Sequence, residues 1–461
     1  MRRYLIFLTS SLSILMYAID STVVAVAFPN FTRELHTNVL WSAWTISIFF
    51  IAVTIALPLA GNLADSFGRK KVFVVSLILF TGSSLACGLA PTIYALIAFR
   101  FLQALGGACF LPTASGIVSD YFPENREAAI GLFASFFSIG AVIGPNLGGW
   151  IVSRYSWRYV FYINVPIGIA LIAAVMLLLR ESRVLAHTRI DLLGVALMSG
   201  TLLFLMLGLN LVAEHFSASY ITVAAIMVII SCCLAVLFVK QEKATAEPIL
   251  DIALLQSKPF MAANTSNLII GMTTIGAVTF IPYYAVSIHK LSTLMSGMIL
   301  TPRSVAMVGC ATATSFLLRR LGYRWPMVFG FAVIGITTMF LAPSLFPWNI
   351  AIGQWGIAGT LSFLLLINGI GCGVIFPAAN NACIELMPEK VSTIVALRNM
   401  FRNIGAALYI SLLTVILHVT SGSAEGFTIM YISSGLLCLA SIPLLFLMPA
   451  GRASWNSSFH Q

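Results

Sequence analysis

Apolar residues in this chain come in long runs rather than in alternation. A helix needs about 20 apolar residues to cross the hydrocarbon core of a bilayer. Runs of that kind fall near 5–28, 40–63, 72–90, 93–115, 127–152, 158–179, 190–212, 219–240, 260–286, 293–317, 325–345, 359–380, 393–418 and 427–448. Short polar loops separate them. The pattern predicts an all-α polytopic membrane protein with 14 transmembrane helices. An even number of spans puts both termini on the same side.

Charge fixes the side. With the N-terminus inside, only Arg33, Arg154, Arg158 and Lys290 of the 25 Lys and Arg fall in outer loops. Arg100, Arg303, Arg398 and Arg402 fall within spans, and all the others lie on the inner side. Cytoplasmic loops carry the excess of cations in membrane proteins, so both termini are expected in the cytoplasm. The expected location is the cytoplasmic (inner) membrane of a bacterial cell.

Composition agrees. The chain has 461 residues, 59% hydrophobic and 9% charged, against about 25% charged in soluble domains. Its net charge of +10 sits in loops between apolar runs, so it reads as topology and not as a nucleic-acid surface. The eight cysteines, among them Cys87, Cys109, Cys232, Cys233 and Cys310, show no metal-ligand spacing and read as small buried apolar residues. Met1-Arg2-Arg3 leads straight into the first run without a small-residue cleavage site, so that run reads as a span and not as a removed signal. No Gly-rich nucleotide loop, metal site or nucleophile–base motif appears, so an enzyme, a metal, a cofactor and ATP are not expected.

The chain repeats itself weakly. Ser119-Asp120-Tyr121-Phe122-Pro123-Glu124 is echoed by Ile384-Glu385-Leu386-Met387-Pro388-Glu389, and the same offset pairs Pro112 with Pro377 and Gly106 with Gly371. A second echo links Gly61–Lys71 to Ser315–Trp325, pairing Gly68 with Gly322 and replacing Asp65 by Arg319. The expected organisation is a six-helix bundle over 1–185, two additional helices over 186–245 and a second six-helix bundle over 246–461. The two bundles are pseudo-symmetric, an arrangement known in transporters.

Two rare charges of opposite sign lie inside spans. Asp20 sits about fifteen residues into the first span, hence about 22 Å from its inner end at 1.5 Å per residue. Arg100 enters from the outside and comes to a similar depth. Charges at depth are costly unless paired or facing water. One reading is a fixed ion pair that holds two helices in register. The other is a proton site, because burial favours the neutral acid and a nearby cation the carboxylate.

Four segments, taken in order, resemble the motifs of the major facilitator superfamily, specifically its fourteen-span drug:proton antiporter branch. They are Ile19-Asp20-Ser21-Thr22-Val23-Val24 in the first span, Gly61 to Lys71 after the second, Arg100-Phe101-Leu102-Gln103-Ala104-Leu105-Gly106-Gly107 in the fourth, and Gly140 with Gly144-Pro145-Asn146-Leu147-Gly148-Gly149 in the fifth. Phe161-Tyr162-Ile163-Asn164-Val165-Pro166 is also typical of that branch. The resemblance implies a proton-coupled multidrug exporter working by alternating access, with the proton gradient as energy source. Its partners would be a small amphipathic substrate, hydrophobic or cationic, the proton and the bilayer, with an adaptor and outer-membrane channel left open. A lipid or lysolipid exporter is the alternative within transport, and a non-transporting receptor or scaffold the alternative outside it.

The resemblance also implies roles. Asp20, modulated by Arg100, would couple to the proton. Gly61, Asp65, Gly68, Arg69, Asp120 and Arg126 would form a cytoplasmic latch, with Asp65 beside Arg69 and Asp120 near Arg126. Gly140, Gly144, Pro145, Gly148 and Gly149 would pack the fifth span closely, either as ordinary packing or on a partner in the other half. Tyr17, Gln103, Tyr283, Tyr284, Arg303 and Arg398 are candidates for the substrate cavity. Arg303 and Arg398 could instead snorkel, pair with Glu385, or attract an anionic group.

Overall fold

The computed structural model describes residues 2–181, 191–214, 218–245, 257–345, 356–386 and 391–448. Among them every regular element is helical. Thirteen helices are long and apolar enough to cross a membrane, and Arg324–Phe340 is a shorter apolar helix of 17 residues. Together they occupy the fourteen predicted places. Prolines break several spans, because each removes the hydrogen bond to the carbonyl four residues back. The fourth span is two helices, Ile93–Ala108 and Phe110–Tyr121, with Pro112 at the start of the second. The sixth is split at Ile163, three residues before Pro166, into Tyr159–Tyr162 and Asn164–Leu178. The ninth, starting at Lys258, holds a π-helical turn over Gly271–Gly276.

The chain divides into two compact units, residues 1–192 with 292–298, and residues 193–291 with 299–461. In the first, α1 (Arg2–Glu34), α2 (Val39–Phe67), α3 (Arg69–Leu89), α4 (Ile93–Ala108), α5 (Phe110–Tyr121), α6 (Arg126–Arg154), α7 (Tyr159–Tyr162) and α8 (Asn164–Leu178) pack so that α1 runs along α6, while α3 and α2 both lie on α4 and α8 lies on α3. In the second, the helix Thr301–Leu321 packs along Gly356–Leu386, which also meets Arg324–Phe340. The two helices Leu192–Glu214 and Ala218–Ala244 meet through the Ser231 hydroxyl, which donates to Thr201 O at 2.7 Å. Cys87 and Cys109 are buried as expected, but Cys232 and Cys233 are exposed on Ala218–Ala244, an apolar helix whose outer face is suited to lipid.

Small residues set a close helix contact. Gly140, Gly144 and Gly148 form one stripe of α6 against α1: a Cβ on Gly140 would lie 2.7 Å from the Ala18 Cβ and 2.8 Å from Leu15 O, and one on Gly148 would lie 2.6 Å from the Val23 side chain. Without a hydrophobic drive between helices in lipid, such close approach supplies the packing energy. The nearest partner of this stripe is therefore α1, within the same unit. Gly149 and Pro145 differ. They meet the short helix Thr293–Met298, with Gly149 facing the carbonyls of Thr293 and Leu294 and Gly297 seated on Pro145 O. That segment comes from later in the chain yet belongs to the first unit.

Gly140→Ala should push α6 off α1, since neither the backbone oxygen nor the alanine methyl can swing away. Overpacking of this kind costs about 1–3 kcal/mol. Gly309→Ala is the control, because nothing lies within 4 Å of the added methyl. Thermal unfolding of the purified protein should fall for the first and hold or rise for the second.

Candidate functional site

The polar heart of the first unit is built from five helices. Asp20 on α1 is fully buried, and Arg100 on α4 is 1% exposed. Arg100 Nη1 donates to Asp20 Oδ2 at 2.6 Å. Gln103, one turn further along α4, donates Nε2 to Asp20 Oδ1 at 2.9 Å and accepts Arg100 Nη1 on Oε1 at 2.7 Å. Asn164 donates Nδ2 to Asp20 Oδ1 at 2.8 Å from the start of α8. Ser84 on α3 takes a hydrogen bond from Gln103 Nε2 at 2.6 Å and a longer one from Asn164 Nδ2 at 3.4 Å. Arg100 Nε donates to Thr45 O on α2 at 3.3 Å, and its guanidinium carbon lies 4.2 Å from the Phe49 ring centre.

The local sequence explains the convergence. Arg100 and Gln103 are three apart and share a helix face. Asn164 reaches the acid because the sixth span breaks just before it. Tight α3–α4 contact at Gly106, where a Cβ would lie 2.8 Å from Phe80 N and Ser76 O, brings Ser84 within reach. Every polar side chain of the cluster is hydrogen-bonded, as a charge pair out of water requires. Chemically it is one ionisable carboxyl whose charge is met by one cation and two amides, with no water-exposed face. Loss of that charge on protonation would leave Arg100 without its counter-charge, while Oδ1 could still accept from the two amides.

Asn164 and Ser84 belong to this cluster, and sequence reasoning did not select them. Asn164 stood within a motif quoted for its resemblance, and its position at a proline-broken span was the available signal. Gln103, read as a cavity candidate, is buried and spends its amide on Asp20 and Ser84. Tyr284 is likewise fully buried, donating its hydroxyl to Leu341 O at 3.0 Å among Phe427, Tyr431 and His289. Tyr17 keeps a partly exposed ring stacked on Phe49, with centroids 5.8 Å apart, and Tyr283 packs against Phe427. Arg398 is buried and reaches Asn399 Oδ1 at 3.5 Å, while the Glu385 side chain lies outside the described residues.

The basic loop forms a second cluster at the other end of the unit. Gly68 adopts φ 93°, which favours glycine, and links α2 to α3 directly. Arg69 Nη1 pairs with Asp120 Oδ2 at 2.5 Å and donates to Gly116 O at 3.0 Å. Gly61 lies within α2, and the side chains of Asp65 and Arg126 lie outside the described residues. Asp120 is thus tied to Arg69, across α3 and α5. Lys70 Nζ donates to Met176 O at 2.9 Å and Leu179 O at 2.7 Å, and Arg2 Nη2 to Leu178 O at 2.8 Å. These cations close the free carbonyls at the C-terminus of α8. Glu181 Oε1 accepts the Lys70 N–H at 3.1 Å.

With this geometry in hand, known proteins can be compared. A family model described as Major Facilitator Superfamily matches residues 10–192 and 188–410. "Multidrug resistance protein 3" of Bacillus subtilis (strain 168) is 30% identical over 405 residues, covering 87% of this chain and 77% of its own. "Multidrug transporter protein MdtP" of the same organism is 28% identical over 413 residues, covering 88% and 74%. "Multidrug export protein EmrB" of Escherichia coli (strain K12) is 26% identical over 411 residues, covering 88% and 78%. Among solved structures, a mutant of the peptide transporter POT in complex with sulfate shares the fold with a TM-score of 0.69 at 16% identity, over 96% of this chain and 93% of that one.

Removing one partner of the buried pair should be worse than removing both. Arg100→Gln alone leaves an uncompensated buried acid, a loss of about 3–5 kcal/mol. Asp20→Asn combined with Arg100→Gln should recover a large part of that loss. A double-mutant cycle on thermal unfolding measures the coupling directly. Asp120→Asn at the surface pair should cost at most about 1 kcal/mol.

Proposed function

We propose that this chain, which belongs to the Major Facilitator Superfamily, exports small hydrophobic or cationic amphipathic compounds across the cytoplasmic membrane in exchange for protons. It is a multi-pass membrane transporter whose relatives carry the names of multidrug export and resistance proteins. The observation that carries the coupling proposal is the buried Asp20–Arg100 pair with its two amide partners. Alternating access needs an element with two arrangements whose balance a ligand can bias. Asp20 supplies one. As the carboxylate it binds α4 through Arg100 and Gln103, and α8 through Asn164. Once protonated it no longer answers the charge of Arg100, and the guanidinium is free to seek another partner. A proton taken on one side of the membrane and lost on the other would thus change how α1, α4 and α8 hold together.

The Arg69–Asp120 pair serves this reading as a latch. It ties the start of α3 to the end of α5, and its exposed position makes it weak alone. A latch needs only a difference between states, and a contact worth about 0–1 kcal/mol is easily broken and remade. The concentration of cations on this side supports a cytoplasmic face and cytoplasmic termini. No cofactor enters the scheme, since the proton gradient supplies the work.

The test is transport by purified protein in vesicles with an imposed pH gradient. Wild type should drive uphill movement of a cationic dye, and Asp20→Asn should lower it to the rate of empty vesicles while dye binding in detergent persists. Full gradient-driven transport by Asp20→Asn would refute the assignment.

A further inference from the structure

The second unit contains a buried cluster that no part of the scheme above uses. Arg303, on the helix Thr301–Leu321, is 9% exposed. Its Nε donates to Asn368 Oδ1 at 3.0 Å, and its Nη2 to Thr274 O at 3.1 Å and Cys372 Sγ at 3.3 Å. Asn368 passes the network on, donating Nδ2 to Thr337 Oγ1 at 3.0 Å and Thr338 Oγ1 at 3.4 Å. The backbone is pinned there, because Gly369 approaches the Arg303 carbonyl so closely that a Cβ would overlap it. Among the described residues every partner of Arg303 is neutral, no carboxylate meets it, and Nη1 has no hydrogen-bond partner.

The internal repeat shows what is missing. The offset that pairs Gly68 with Gly322 carries Asp20 onto Thr274, Phe49 onto Arg303 and Ser84 onto Thr338. The offset that pairs Pro112 with Pro377 carries Gln103 onto Asn368 and Arg100 onto Leu365. The second cluster is therefore the first with its acid replaced by threonine and its cation moved from the fourth span of its half to the second. The amide that steadies the guanidinium is kept. The counter-charge is not.

A guanidinium stays charged inside proteins, and an intramembrane charge without a partner is costly. We propose that Arg303 is the receptor of an anion site, in which the open Nη1 donates to an exogenous monovalent anion, either the carboxylate of an amphipathic substrate or a free halide. Asn368 and the Thr274 carbonyl position the guanidinium for it. One positive charge calls for one negative charge, so a strongly hydrated dianion such as sulfate does not fit. Binding at this site does not depend on the export reading, and its test measures no transport.

The experiment uses full-length protein in discs of neutral phosphatidylcholine. Affinities for decanoate and decyltrimethylammonium, which share one tail, are read from intrinsic fluorescence, and thermal unfolding is compared in sodium chloride and in sodium sulfate of equal ionic strength. Wild type should bind decanoate, and Arg303→Gln should weaken that binding by about tenfold or more, equivalent to 1.4 kcal/mol, with decyltrimethylammonium unaffected. Asn368→Asp places an internal carboxylate beside Nε. It should abolish decanoate binding and raise the unfolding temperature, and it carries the test if Arg303→Gln fails to fold. A decanoate-specific loss identifies the substrate carboxylate as the anion. A chloride-dependent rise in unfolding temperature that both variants lose identifies the free halide. Equal loss of both amphiphiles, or anion responses in Asn368→Asp that match wild type, would overturn the proposal, as would a wild type indifferent to both decanoate and chloride.

Discussion

One charge pair out of water constrains the first unit more than any other contact. Asp20 and Arg100 are 0% and 1% exposed, and neither can be buried alone. The desolvation of both is offset only because the surrounding groups complete the hydrogen bonding. That demand reaches outward. Gln103 must lie one turn from Arg100, α3 must approach α4 closely enough for Ser84 to receive the amide, and the sixth span must break to present Asn164. The glycine stripe on α6 then holds α1, and with it Asp20, in place. Removing the acid would leave a cation and two amides without their shared partner.

Much of this was legible in the sequence, and the limits have physical causes. Spans follow from apolar run length, because lipid leaves a backbone few alternatives to helix. The depths of Asp20 and Arg100 follow from helical rise, so their meeting could be expected. Their uncharged partners could not, because an asparagine or serine in a span carries no charge signal and its neighbour depends on helix rotation. Proximity in the chain does not name the partner that Asp120 meets, Arg69, which lies on a different helix. The same applies to Gly144, whose neighbour is α1. Aromatic rings mislead for a related reason: Tyr284 looks like cavity lining in one dimension, yet burial and a bonded hydroxyl make it core.

The two units solve one electrostatic problem in different ways. Each buries a guanidinium on a carboxamide, Gln103 in one and Asn368 in the other. The first supplies its own acid, which a proton can neutralise. The second supplies none among the described residues. On the two proposals made here, such a duplicated fold would separate two tasks that a symmetric protein would share: titration in the first unit, recognition of charge in the second.

The central claim is that Asp20 carries the coupling proton, and it is tested most directly by counting protons without any membrane gradient. Binding of a cationic amphiphile to the purified protein is followed by calorimetry in buffers of differing ionisation enthalpy, at a pH where the wild type is partly protonated. The account predicts proton release on binding by the wild type and none by Asp20→Asn, with binding retained. The same release from both proteins would contradict it and place the coupling proton elsewhere.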